Sequence, residues 1–185
     1  FFSVTGTDKK ISLGDVAKIS KRSDKNGLSY TGTYKTNAAT FPSGCPLCEL
    51  EVDIDSGEVK ILKYIAITDV GNAINPAQVN GQIRGGVVQA LGQVFSENIQ
   101  YNSETGQLMS GSFMDYAMPK AIDMCFIETY DNPTKTAVNP IGVKGAGEIG
   151  TGCAVATFVN ALIDALSPLG IQQIDTPATS EKIWQ

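Results

Sequence analysis

The sequence predicts an α+β fold in which twisted β-hairpins pack on two principal helices. Three observations carry this. Residues 45–67 alternate apolar and polar positions around Asp55-Ser56-Gly57-Glu58, a turn signal. Val79, Ile83, Val87, Leu91 and Val94 recur at three- and four-residue spacing. Cys153 to Leu166 is a continuous apolar run of helical length.

Taken in order, Phe1 to Val4 suits a short strand and Leu13 to Ile19 a short helix capped by Ser12. Lys21 to Thr40 is rich in Ser, Gly, Thr, Asn and Lys and reads as a connecting surface segment. From Cys45, the apolar positions Leu47, Leu50, Val52 and Ile54 lead through the turn to Val59, Ile61, Leu62, Tyr64, Ile65 and Ile67, a hairpin. Asp69 closes the second strand before Gly71, which suits a turn or cap residue better than a catalytic one. Asn75-Pro76 then opens a helix, with Asn at the N-cap and Pro at the first helical position, running to about Phe95. A second hairpin is expected from Phe95–Tyr101 and Leu108–Ser112 around Asn102–Gly106. Met124 to Tyr130 reads as a strand, Asp131 to Pro140 as a loop, and Ile171 to Ile174 as a short strand. Pro168-Leu169-Gly170 stops the apolar helix, and Thr179 to Trp184 forms a last helical turn.

Composition narrows the chemistry. The chain has 185 residues, a net charge of −5 and no basic run, so nucleic acid is not an expected partner. No apolar stretch approaches about 18 residues and no signal pattern stands at the start, so no membrane partner is expected and a soluble, cytoplasmic protein is. Phe stands first rather than Met, as in a piece of a longer chain. Histidine is absent, which removes the usual general base and histidine metal sites. Four cysteines make no disulfide framework in a chain of this size. The lone Cys45-x-x-Cys48 lacks two further zinc ligands, so structural thiols and no metal site are expected.

Two glycine-rich stretches stand out. Gln82, Gly85, Gly86, Gln89 and Gln93 line a second face of the helix after Asn75, with Gly92 beside them. Each interior glycine costs roughly 1 kcal/mol against alanine, so the cluster needs a reason. Helix packing explains the glycines alone. Close approach of a large flat or phosphorylated ligand also explains Gln89, a donor and acceptor, and is preferred. The second stretch, Ile141 to Gly150, has four glycines in ten residues around Glu148 and feeds the apolar helix. Glu148 is either a cap or a working acid/base. Gly145 to Gly150 also spells G-x-G-x-x-G, but Asn139-Pro140 stands where a strand should run in, and Glu148 would face a pyrophosphate. A dinucleotide-binding module is a remote alternative.

Gly81-Gln82-Ile83-Arg84-Gly85-Gly86-Val87-Val88-Gln89-Ala90-Leu91-Gly92 and Gly142-Val143-Lys144-Gly145-Ala146-Gly147-Glu148 together resemble the molybdenum hydroxylases. That family includes xanthine dehydrogenase, aldehyde oxidoreductase and aerobic-type carbon monoxide dehydrogenase. Asp69-Val70-Gly71…Asn75-Pro76, Phe113…Tyr116…Pro119 and Thr176-Pro177…Trp184 fit as well, so the likeness runs from about residue 30 to the end. It implies residues 1–43 as a connecting segment from a preceding domain. Residues 44–185 then form the C-terminal molybdopterin-binding domain of a xanthine dehydrogenase-type large subunit.

By that resemblance Glu148 is the general base beside molybdenum in hydroxylation of a heterocycle or aldehyde carbon with water-derived oxygen. A carboxylate screened from water in a glycine cradle would have its pKa raised toward neutrality. Gln89, Gly86, Lys144, Gly145 and Gly147 are implied cofactor-binding positions, and the metal takes no protein ligand. The implied cofactor is molybdopterin in a dinucleotide form; [2Fe-2S] and FAD are expected on partner domains or subunits, since four scattered cysteines cannot hold two clusters. Many relatives carry His where this chain has Arg84, and the direction Arg84 faces decides its effect. The remainder of the large subunit or a companion molybdopterin subunit is an implied partner, so the chain alone is expected to be inactive. The alternative from another class is a non-catalytic assembly piece whose glycine faces pack on a partner subunit.

Overall fold

The computed structural model describes residues 1–23 and 27–185, which form two compact units, Phe1–Thr36 and Asn37–Gln185. The first holds β1 (Phe2–Ser3), antiparallel to β2 (Lys10–Ile11), and helix α1 (Leu13–Ser23). Ser12 caps α1, its Oγ accepting from Asp15 N at 3.1 Å. The helix outruns the expected end at Ile19 by a turn; residues 24–26 of the expected connecting segment lie outside the described residues.

The second unit is built on β3 (Ser43–Val52) and β4 (Val59–Asp69), antiparallel in register from Ser43↔Asp69 to Val52↔Val59. Their turn closes with Gly57 N donating to Asp53 O at 2.7 Å. Gly57 has φ +69, and a Cβ there would strike the Ser180 carbonyl. Along β3 the half-buried residues are Pro46, Cys48, Leu50 and Val52, whereas Leu47 is exposed. Glu49 faces Lys63 and Leu50 faces Ile61, so the bulged residue is Leu62 of β4; alternation along β3 is unbroken and puts Cys48 rather than Leu47 on the inner side.

Helix α2 (Pro76–Phe95) has the expected bounds: Asn75 Oδ1 accepts from Gln78 N at 3.2 Å and Pro76 opens the first turn. It returns the chain to β5 (Ile127–Asp131), which pairs parallel with β4 from Tyr64↔Ile127 to Thr68↔Asp131. The sheet is therefore one hairpin plus a parallel strand, which corrects the all-hairpin expectation; parallel strands require a crossover such as α2 supplies. The expected second hairpin reduces to a single bridge, Tyr101↔Leu108, because Phe95 belongs to α2 and Ser96 is its C-cap. Ile171–Ile174 has no strand partner among the described residues and forms no strand.

Helix α3 (Ile149–Leu166) starts four residues before the expected Cys153. With the 3-10 turn at Ser167–Leu169 it makes a 21-residue segment holding an 18-residue window of mean hydropathy 1.6, long and apolar enough to cross a membrane by length and composition. That exceeds the expected apolar length. In this unit it is the core helix: Ala154, Phe158 and Leu162 are fully buried, and Phe158 lies 5.1 Å from Tyr64 and 5.8 Å from Phe95, ring centre to ring centre. Ile83, Val87, Leu91 and Val94 of α2 complete the core, as their spacing predicts. Helix α4 (Ser180–Trp184) closes the chain, with Ala178 buried against Leu162 and Leu166.

Candidate functional site

The site begins where β4 ends. Asp69 Oδ1 accepts from Gly71 N at 2.9 Å and Thr134 N at 3.0 Å, while Asp69 Oδ2 meets Lys144 Nζ at 2.7 Å. The lysine bond first, then these two N–H groups, hold the Asp69 carboxyl well below the usual carboxylate range. Asp69 is thus the turn residue the sequence suggests, with an ion pair added. Lys144 N donates to Val70 O at 2.9 Å and Asn72 N to Gly142 O at 2.9 Å, so the glycine-rich segment is zipped to the turn. Gly71 has φ +65, and a Cβ on it would collide with the Gly142 carbonyl. The Asn139 side chain donates to Val143 O and accepts from Val143 N, which fixes the approach from upstream.

The far end of the segment is fixed by α2. A Cβ on Gly86 would lie 2.8 Å from Thr151 N and 3.0 Å from Gly150 Cα; one on Gly150 would strike the Ile83 carbonyl. At Gly86, then, the close approach is of one helix backbone to another. Gly92 is similarly closed by Glu97 and Pro119, and Tyr116 donates to Glu97 at 2.9 Å. Gly81, Gly85, Gly145 and Gly147 differ, since a Cβ on any of them would meet nothing within 4 Å. Thr151 Oγ1 bonds both Gly86 O at 3.0 Å and Gln89 Oε1 at 3.2 Å, so the exposed Gln89 amide is held beside the first turn of α3.

Glu148 occupies the N-cap of α3. Its carbonyl accepts from Gly152 N at 2.9 Å, but its side chain makes no cap bond. The capping alternative therefore falls. The residue is exposed rather than screened, because Gly145 and Gly147 put no side chains around it. Gly145 and Gly147 lead into Glu148 at the N-terminus of α3, whose first turn meets Gly86 and Gln89 of α2 through Thr151. Lys144 donates from Nζ to Asp69 and from its backbone N–H to Val70. It also lines a cavity of about 450 Å³ that opens beside Gly147 and whose polar lining includes Asn72, Asn75, Gln78 and Gln82. Thr151, Asn72 and Asn139 escaped the sequence reading; an Asn two residues before the glycine stretch and a Thr directly after it were the available signals.

No strand runs into Gly145: β5 ends at Asp131, and Val143 makes only a single bridge to Gly71. The dinucleotide-loop geometry is missing. Arg84 is exposed and lies over the Phe126 ring at 4.9 Å. Cys45 is exposed, and Cys48, Cys125 and Cys153 are half-buried with free thiols. Burial, with the neighbouring Cys125 and Glu49, pushes the Cys48 thiol up to about 12.

Residues 1–125 match the family described as Molybdopterin cofactor-binding domain. The chain belongs to this family, that of the molybdopterin-binding subunits of molybdenum hydroxylases. It is 38% identical over 193 residues to the 6-hydroxypseudooxynicotine dehydrogenase complex subunit gamma of Paenarthrobacter nicotinovorans, across 99% of this chain and 24% of that one. It is 30% identical over 189 residues to the carbon monoxide dehydrogenase large chain of Hydrogenophaga pseudoflava, across 100% of this chain and 23% of that one. Among solved structures, CO dehydrogenase from Oligotropha carboxidovorans superposes with a TM-score of 0.74 at 34% identity, covering 77% of this chain and 18% of that one. The domain thus spans about a quarter of the length of these curated relatives.

The residues present fit such a cofactor. Gly145, Ala146, Gly147 and Glu148 have backbone N–H groups without a partner among the described residues, beside two glycines open to close approach. These donors, at the N-terminus of an 18-residue helix, suit acceptor-rich and anionic groups. Gln89 adds an amide NH₂.

Proposed function

We propose that this domain supplies the general base and part of the cofactor cradle of a molybdenum hydroxylase, an oxidoreductase that hydroxylates an electron-poor carbon of a heterocycle or aldehyde. The observation that carries the reading is the Glu148 carboxylate. It stands at a helix N-cap, makes no cap bond, and directly follows a row of N–H groups without a partner among the described residues. When bound, the molybdenum cofactor, in a dinucleotide form, supplies the two-electron oxidant. The protein's own groups do the rest: Gln89 and the Gly145–Gly147 backbone orient the cofactor, and Glu148 takes a proton from the water-derived nucleophile. Lys144 lines the cavity beside Gly147 and carries its segment toward the cofactor, its Nζ bonded to Asp69. Names such as "subunit gamma" and "large chain" among the relatives support assembly with the rest of a large subunit and with iron–sulfur and flavin partners. Four free thiols suit a cytoplasmic setting.

The assembly-piece alternative rested on glycine faces left for a partner. Gly86 and Gly92 are used inside the domain, which removes part of that motive. Glu148→Gln in the complete enzyme separates the two. The variant is expected to keep its molybdenum and to lose at least about 100-fold in turnover, in line with loss of a general base. Nicotine, hypoxanthine, benzaldehyde and carbon monoxide serve as the probe panel. Turnover at the parent rate with any of them would end the assignment.

A further inference from the structure

The active carboxylate of the reading above sits at the end of a segment with little to hold it. A Cβ on Gly145 or Gly147 would meet nothing within 4 Å, and glycine backbone is the least restrained there is. Downstream, the segment is pinned where Gly150 meets Ile83 and Gly86. Upstream, the pin is the junction with the end of β4, where backbone bonds join Lys144 to Val70 and Asn72 to Gly142. Its ion pair is Asp69–Lys144. Their side chains are only 15% and 12% exposed, whereas every other ion pair among the described residues has partners exposed by 34% or more. At 2.7 Å the contact is a charge-assisted hydrogen bond, and the other Asp69 oxygen accepts two backbone N–H groups that orient it. Exposed pairs contribute little; this one is held on both sides.

We propose that Asp69 and Lys144 form a clasp that fixes the 142–148 segment against the end of β4 and thereby sets where Glu148 stands. Both are positioning residues. The clasp rests on the general-base reading only for its consequence in catalysis; its effect on the loop is independent of it. Asp69→Asn keeps an acceptor for Gly71 and Thr134 and removes the charge. Lys144→Met keeps the aliphatic stem and the backbone bond to Val70. Lys144→Arg keeps the charge.

The test is hydrogen–deuterium exchange of the intact holoenzyme, read on peptides covering 139–148 and, as references, α2 and β4. Asp69→Asn and Lys144→Met are each expected to speed exchange of 139–148 by about tenfold with the references unchanged, as for a local opening. The double variant is expected to go no further than the faster single one, because both remove one interaction. Lys144→Arg should restore slow exchange. Unchanged exchange in the two single variants, additive acceleration in the double one, or acceleration spread evenly through the unit each overturn the clasp. Glu148→Gln is run alongside. If it retains turnover while the exchange pattern holds, the base reading fails and the clasp stands; if exchange is unmoved, the clasp fails whatever Glu148 does.

Discussion

Adjacent glycines in α2 are expected to respond to alanine with opposite signs. At Gly86 the new methyl would lie 2.8 Å from Thr151 N and 3.0 Å from both Gly150 Cα and Thr151 Oγ1. Ordinary contact is about 3.5–4.0 Å, so the helices must part by roughly 0.5–1 Å. Overpacking of this kind costs about 1–3 kcal/mol. Parting the helices also strains the Thr151 Oγ1 bond to Gly86 O, worth about 1 kcal/mol. Against this stands a gain of about 1 kcal/mol in helix propensity. The balance is a net loss of about 1–3 kcal/mol. At Gly85 the methyl meets nothing within 4 Å, leaving only the propensity gain of about 1 kcal/mol. For a chain of this size each kcal/mol moves Tm by about 2–4 °C. Gly85→Ala should therefore melt a few degrees higher than the parent and Gly86→Ala several degrees lower, read by thermal circular dichroism on matched samples. Equal stabilisation by both would refute the helix crossing at Gly86 and return that glycine to a ligand.

Two further outcomes follow from the same geometry. Gln89→Ala should lower the molybdenum retained per enzyme, measured by elemental analysis after gel filtration, while changing stability by less than about 0.5 kcal/mol, as for other exposed positions; full retention would remove Gln89 from the cradle. With its thiol pushed up to about 12 by burial first, Cys48 should alkylate with iodoacetamide at pH 8 at least about tenfold more slowly than exposed Cys45. The same shift makes stability depend on alkali. The neutral thiol is favoured in the folded state, so its contribution is complete below the ordinary value of 9.0 and is lost as pH rises toward 12. Urea midpoints should fall above pH 9 with a shallower slope in Cys48→Ala; identical slopes would count against it.

Legibility in the sequence followed the range of each interaction. Helix α2 was readable to the residue because Asn75, Pro76 and the Ile83–Val94 spacing are local signals. The β3–β4 hairpin was readable because Asp55-Ser56-Gly57 sits between two alternating runs. The parallel pairing of β5 was not, since alternation marks a strand but says nothing of its partner, here some 60 residues away. Helix α3 was expected to begin late because Gly150 and Gly152 argue against helix by propensity. Tertiary contact reverses that at Gly150, where any larger residue would strike Ile83. Glu148 was legible as a motif position, yet its exposure was not, because exposure depends on what the neighbouring glycines leave open. The Asp69–Lys144 pair spans 75 residues and had no sequence signature beyond an Asp at a strand end.

The placement of anchors and chemistry follows a common rule in this domain. Glu148 and Gln89, the side chains assigned to chemistry and to the cofactor, are exposed, and exposed side chains do not fix themselves. Each is joined to a less exposed neighbour: Gln89 through the Thr151 hydroxyl to Gly86, Glu148 through its backbone to Gly150 on one side and Lys144 on the other. Gly86 and Gly150 are the same contact seen from two helices, so both side chains are referred to one crossing. A change that parts α2 from α3 must move Gln89 and Glu148 relative to each other even if neither is altered. A misplacement of about 1 Å is enough to cost about 100-fold in rate when reacting groups are held in near-attack geometry. The glycines at the crossing therefore govern the geometry of the site as well as the packing of the core, and those at 145 and 147 serve it by staying bare.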